Sequence, residues 1–243
     1  MEERLPWYKR FWVWIGLLFI SLIVLGFLLF ARQTYIYYQQ IKTGQNPGVF
    51  MEVGSTDKKQ VSEYEKKKVQ QLKEQARGKY DQPYLGSEDA VHEVVEFVDF
   101  GCPYCKQALK ELHTLANVRL DVKIIIRDFP IKELHPNAEV AAQAALCVWN
   151  NDGQEKYWKY HDLLFANQDK QDLISLRSYA QSVGARLDYF DQCMRNQAVA
   201  SQIQLSIIDG EALGVNATPT FFIDGKIQEG VLTVDDFNKL LGE

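Results

Sequence analysis

Apolar positions change their pattern twice along the chain. From Phe11 to Ala31 the sequence runs without a charge. At about 1.5 Å per residue, a helix of that length covers roughly 30 Å, the thickness of a bilayer's hydrocarbon core. Trp7, Tyr8, Trp12 and Trp14 stand at one end of the run, and Tyr35, Tyr37 and Tyr38 at the other. Amphipathic rings gather at both interfaces of a spanning helix. A cleaved signal sequence has a shorter apolar stretch and small residues at its end. Leu28-Leu29-Phe30-Ala31-Arg32 does not fit that description. The pattern predicts a transmembrane helix over 11–31. Arg4, Lys9 and Arg10 precede it, while Arg32 and then Lys42 follow. This slight basic excess predicts a cytoplasmic N-terminus, residues 1–10, and a catalytic domain outside the cell membrane.

Residues 32–79 read as a linker and a charged helical stalk. Gly44, Asn46-Pro47-Gly48 and Gly54-Ser55 interrupt any periodicity. Val61 to Arg77 then carries a thin helical stripe of Val61, Tyr64, Leu72 and Ala76 among Glu, Lys and Gln. This segment is read as a spacer helix or one packed on the domain edge, in preference to a partner-binding coiled coil.

From about Tyr80 the pattern becomes that of a folded domain, 80–243. Val91–Phe100 has a strand's composition, and a helix follows to about Ala116. Leu120–Arg127 is a second strand. Strand, helix, strand in that order suggests a βαβ unit with a parallel pair. A helical insertion at about 135–213 comes next. Pro136 sits in the first turn of its first helix, which runs to about Trp149. Gln154–Ala166 forms another, Asp172 and Asp188 cap two more, and Gln197–Leu213 is the last. Thr220–Ile223, the Asp224-Gly225 turn and Lys226–Glu229 make a hairpin, and Thr233 caps a final helix. The fold class is α/β, ordered β-α-β, helical insert, β-β-α.

The net charge of −5 argues against a nucleic-acid partner. The cysteines carry the chemistry. Cys102 and Cys105 form a C-x-x-C directly after a strand, with Pro103 suited to the first helical turn. Cys102 thus meets the unpaired N–H groups and positive dipole end of a helix. Both favour the thiolate, which is the nucleophile. Cys105, almost one turn on, is placed to close a disulfide. Cys102 is expected to be exposed and Cys105 covered. Zinc would need four ligands, normally two close pairs. Cys147 and Cys193 stand singly, and His92, His113, His135 and His161 show no ligand spacing. No metal is expected, and dithiol exchange needs no cofactor. The histidines read as surface or packing residues. Cys147 and Cys193 leave two readings open: a disulfide stapling the helical insert, or two buried free thiols.

Val94 to Cys105, the run Gly214-Val215-Asn216-Ala217-Thr218-Pro219-Thr220-Phe221-Phe222-Ile223-Asp224-Gly225, and the helical insert together resemble DsbA-type thiol–disulfide oxidoreductases of thioredoxin fold. The resemblance implies that Pro219 is cis and lies against the dithiol. It implies that Thr218 offers its backbone to an extended substrate, beside Pro103 and Tyr104. It implies that Glu96, six positions before Cys102, is a buried acid exchanging a proton with Cys105. Asp99 is a weaker candidate, because the odd separation from Glu96 puts the two on opposite faces of a regular strand. Some DsbA-like proteins carry an extra bridge in the helical region, which adds weight to a Cys147–Cys193 disulfide. The implied function is donation of the Cys102–Cys105 disulfide to reduced or misoxidised extracytoplasmic proteins. A membrane quinone-coupled oxidoreductase would reoxidise the dithiol, and the lipid bilayer would hold the two together. The motif here is Pro-Tyr, where many oxidases have Pro-His. An isomerase or reductase is the alternative, with a tethered chaperone carrying an idle dithiol behind it.

Overall fold

The computed structural model describes residues 7–42 and 58–242. The chain divides into two units, 1–59 and 60–243.

In the first unit, helix α1 (Trp7–Lys42) is longer than the apolar run that predicts it. It continues into residues read above as linker, because Gln33 to Lys42 holds no Gly or Pro to stop it. Its window most suited to crossing a membrane is Leu17–Tyr35. Trp14 and Tyr35 are both exposed. Residues 1–6 and the linker breaks at Gly44, Asn46-Pro47-Gly48 and Gly54-Ser55 lie outside the described residues.

The second unit is built on five strands. β1 is Tyr84–Gly86, β2 His92–Val98, β3 Val122–Asp128, β4 Thr220–Ile223 and β5 Lys226–Glu229. Their order is β1-β3-β2-β4-β5. Only β2 and β3 run parallel, with Glu96 opposite Ile126 and Val98 opposite Asp128. The crossover between them is α3 (Pro103–Val118). β4 pairs antiparallel with β2, setting Phe221 beside Glu96, and β1 pairs antiparallel with β3. Asp224 and Gly225 both have positive φ, as the tight β4–β5 turn requires.

Alternation along the central strands divides the core in two. Val94, Val98, Ile124, Ile126, Phe221 and Ile223 face α3, the final helix α9 (Val234–Leu241) and the helical insert. That insert comprises α4 (Ala138–Asp152), α5 (Gln154–Ala166), α6 (Leu173–Ser182), α7 (Leu187–Asn196) and α8 (Ala200–Leu213). Val95, Phe97, Ile125 and Phe222 face the other way, against Ala76 and Leu72 of α2 (Lys58–Arg77) and Ile207 of α8. α2 is therefore joined to the domain edge at its C-terminal half. Buried Arg127 donates to the Ala76 and Gln75 carbonyls at its end, and to Ser206 and Asp209. A guanidinium at a helix C-terminus satisfies orphan carbonyls and complements the dipole.

Three local expectations change. Asp172 caps α6 through the Ile174 and Ser175 N–H groups, but Asp188 is no cap: α7 opens at Leu187 after Arg186, and Asp188 lies in the first turn. There a carboxylate still favours the positive helix end. Pro136 precedes α4 rather than entering it, with Asn137 in the cap position. Gln197 takes a left-handed conformation that ends α7, so the last insert helix starts three residues later than its pattern suggests.

Candidate active site

β2 is the central strand of the sheet, and its end delivers Asp99, Phe100 and Gly101 to the start of α3. Cys102 is the N-cap of α3 with extended backbone, and Pro103 takes the first turn. The loop is held from three sides. The Cys102 N–H donates to the Asp99 carbonyl at 3.0 Å. The Gln168 amide donates to the Phe100 and Cys102 carbonyls at 3.0 and 2.8 Å, and Gln171 donates to Phe100 at 3.0 Å. The Asp99 carboxylate accepts from Gly101 N–H at 2.7 Å and Ile131 N–H at 2.8 Å, and meets His135 Nδ1 at 2.9 Å. Asp99 thus organises the loop from the side of the β3–α4 connection.

Across the dithiol lies the Thr218–Pro219 peptide, which is cis. The Cys102 thiol donates to the Thr218 carbonyl at 3.2 Å. The Thr218 hydroxyl is buried without a hydrogen-bond partner among the described residues. Tyr104 is exposed on the shoulder of the site.

The two sulfurs differ sharply. Cys102 is lowered to about 5: hydrogen bonding from the Cys105 thiol outweighs burial, aided by the Cys105 and Tyr104 N–H groups and by Thr218. Cys105 is pushed well above the usual thiol range by burial, by its hydrogen bond to Cys102 and by the Glu96 charge. One expectation needs correction. Cys102 is not exposed: it retains 5% of its surface against 1% for Cys105. The ranking survives, and the Thr218 carbonyl and the Gln168 amide both bond to Cys102.

Glu96 lies on the β2 face that carries Val94 and Val98, within electrostatic reach of both sulfurs. It is buried, and burial with the Cys102 charge raises it to about 8. A carboxyl poised there is protonated at neutral pH and can donate. Asp99 lies just past the end of β2, where strand alternation no longer sets its direction, and its carboxylate is held by the Gly101 and Ile131 N–H groups.

Cys147 of α4 and Cys193 of α7 form a disulfide. The described residues hold no group of three or more His, Cys, Asp or Glu able to bind a metal.

Sequence reasoning overlooked four residues. His135 reads as a surface histidine, yet it backs the active loop through Asp99. Gln168 and Gln171 fall in a turn with no apolar period to mark them. Asp128 looks like the polar end of a strand, yet it is buried. Gly101 also has a defined task. A Cβ there would collide with Cβ of His135 and lie 2.7 Å from its Cγ. Gly101→Ala is expected to cost about 1–3 kcal/mol through overpacking, read as a lower urea midpoint at unchanged slope. An unmoved midpoint would show that His135 does not seal the loop.

A dithiol at the start of α3, a cis-proline facing it and a helical insert between β3 and β4 define a thioredoxin-fold thiol–disulfide oxidoreductase. Residues 78–243 match the family model described as thioredoxin, and the chain belongs to this family, in its DsbA-like form. A thiol-disulfide exchange protein, alpha-DsbA2 from Wolbachia pipientis, is 27% identical with a TM-score of 0.65, over 74% of this chain and 95% of that one. A thioredoxin-like oxidoreductase from Silicibacter pomeroyi is also 27% identical, with a TM-score of 0.62, over 69% and 94%. Among curated proteins, a Na(+)/H(+) antiporter NhaA 3 of Salinispora tropica is 33% identical over 150 residues, 62% of this chain. The match spans only 22% of that antiporter's length.

Proposed function

We propose that the protein is an extracytoplasmic disulfide oxidase, anchored by α1 with its N-terminus in the cytoplasm. A substrate thiolate attacks Cys102 of the oxidised pair, and Cys105 leaves. A second substrate thiolate then attacks the mixed disulfide, and Cys102 leaves with its electron pair. Thr218 and Pro219 flank the incoming strand. The reduced dithiol returns its electrons to a membrane quinone-coupled oxidoreductase.

The observation that carries this reading is the low Cys102 value. As a nucleophile, such a cysteine has little advantage. Lowering it from 9 to about 5 raises the thiolate fraction at pH 7 about a hundredfold. Intrinsic nucleophilicity falls by nearly as much, given a Brønsted slope of about 0.4–0.5. As a leaving group it gains without that offset. The site is therefore tuned to be released from a disulfide, which is what a donor requires.

Linkage gives the test. Cys102 is depressed in the folded reduced protein, so its stabilisation is present above the unfolded value and is lost as pH falls through about 5. At pH 7 this favours the reduced state by about 3 kcal/mol, equivalent to roughly 60 mV toward an oxidising potential. Equilibration with glutathione is expected to give a potential more positive than about −180 mV. Reduced protein should also unfold at higher urea than oxidised protein at pH 7, with the gap shrinking toward pH 5. A potential far below −180 mV would instead assign the protein to reduction.

A further inference from the structure

Behind Cys105, three buried side chains each hold a polar atom without a hydrogen-bond partner: Glu96 Oε1, Asp128 Oδ1 and the Tyr157 hydroxyl. Each of the three residues is at least nine-tenths buried. Glu96 and Asp128 sit on neighbouring parallel strands. Glu96 pairs with Ile126, and Asp128 is two residues further on, so its side chain leaves the same face of the sheet. Diagonal neighbours of this kind are close enough for long side chains to interact. Tyr157 of α5 packs over this face and feels the charge of both carboxyls. A buried polar atom left unpaired is costly. Three such atoms around one patch of the sheet face are accounted for if buried water joins them.

We propose that Asp128 is a positioning residue for proton transfer at the dithiol, resupplying Glu96 through water bound beside the Tyr157 hydroxyl. This rests on the reading of Glu96 as the proton donor to Cys105. When the substrate thiolate bonds to Cys102, the Cys102–Cys105 bond breaks and Cys105 leaves as a thiolate. A sulfur with so high a proton affinity is a poor leaving group unless protonated. Glu96 gives its proton to Cys105 and becomes a carboxylate. Asp128 passes a proton to Glu96 through buried water held by the Tyr157 hydroxyl. Asp128, 5% exposed against 2% for Glu96, recovers a proton from solvent. One solvent proton ends on Cys105, and no electrons beyond those of the exchange are needed. Reoxidation runs the same path backwards.

The surroundings fit a carboxyl that holds and releases a proton. Burial, opposed by the Arg127 charge and aided by that of Asp99, raises Asp128 to about 7. His161 of α5, whose ring lies 5.6 Å from that of Tyr157, is kept neutral by burial and adds no competing charge. Glu96 faces the two dithiol sulfurs.

The test is the single-turnover rate of mixed-disulfide formation with a reduced cysteine peptide, followed from pH 5 to 9 on the full-length protein in detergent. Asp128→Asn is expected to slow the step at pH 7 about tenfold and to move the alkaline limb of the profile. Asp128→Glu should restore much of the rate. Glu96→Gln should be slower still, and the double variant no slower than Glu96→Gln alone. A normal rate and limb in Asp128→Asn, or additive losses in the double variant, would overturn the role of Asp128. A normal rate in Glu96→Gln would instead overturn the reading of Glu96. An infrared difference spectrum, oxidised minus reduced, needs no substitution. Carboxyl-labelled aspartate should shift a protonated-acid band in the wild-type protein, and the lack of any labelled band rejects the proposal.

Discussion

Cys102→Ser is expected to abolish disulfide transfer to a reduced peptide, whereas Cys105→Ser, unable to form the donor disulfide, should transfer none but should still form a mixed disulfide when its Cys102 thiolate attacks a disulfide-bonded peptide. The two sulfurs are one turn apart, yet their surroundings separate them. Cys102 gathers hydrogen bonds from the Cys105 thiol and from N–H groups of the first turn of α3, while Cys105 is sealed beneath it and faces Glu96. Alkylation of the reduced protein should therefore titrate with a midpoint near 5. That transition should vanish in Cys102→Ser and persist in Cys105→Ser, shifted upward because the largest contribution to the low value is the Cys105 thiol. Peptide oxidation by Cys102→Ser at the wild-type rate would leave the dithiol idle and favour a binding role. The limited exposure of Cys102 adds a second expectation of the same experiment. Small alkylating reagents should react faster than bulky ones by more than their solution reactivities predict.

The second large effect concerns the helical insert. Replacing both Cys147 and Cys193 with alanine is expected to lower stability by about 4 kcal/mol in the chain-entropy model. The residues are 46 apart in sequence, and they tie α4 to α7. For a domain of this size the loss corresponds to a fall in midpoint temperature of roughly 8–16 °C. Activity at low temperature should survive, because neither cysteine lies in the dithiol site. Wild-type protein whose Cys102–Cys105 pair is already reduced should fall by a similar amount when a strong reductant also opens Cys147–Cys193. A loss under 1 kcal/mol in both experiments would mean that packing alone holds α4 against α7.

The consequence for mechanism is an ordering of tasks. The strand-to-helix junction supplies the anion-stabilising position. The cis-proline loop and Gln168 restrict access to it, and the Asp99–His135 pair steadies the turn. The sheet face beneath places buried Glu96, raised to about 8, within reach of both sulfurs. None of these depends on α1.

Much of this was legible in one dimension. The uninterrupted apolar run, the 3.6-residue periods of the insert, the hairpin at Asp224-Gly225 and the cap at Thr233 are local signals, set by residues near one another in sequence. So is Cys102 at a helix start, because a strand, a short bridge and a proline dictate it within a few residues. Three-residue β1 was not legible, since it is too short to alternate and exists only through pairing with β3. The tasks of His135, Gln168, Gln171 and Asp128 were hidden for the same reason. Each acts on a group dozens of residues away, and a polar side chain carries no periodic mark of what it will meet. The burial of Cys102 also belongs to tertiary structure, because the groups bonded to it come from Gln168, in the turn after α5, and from Thr218, before β4. Local chemistry thus set which atoms react, and long-range packing decided how far each was shielded from water and where its proton could go.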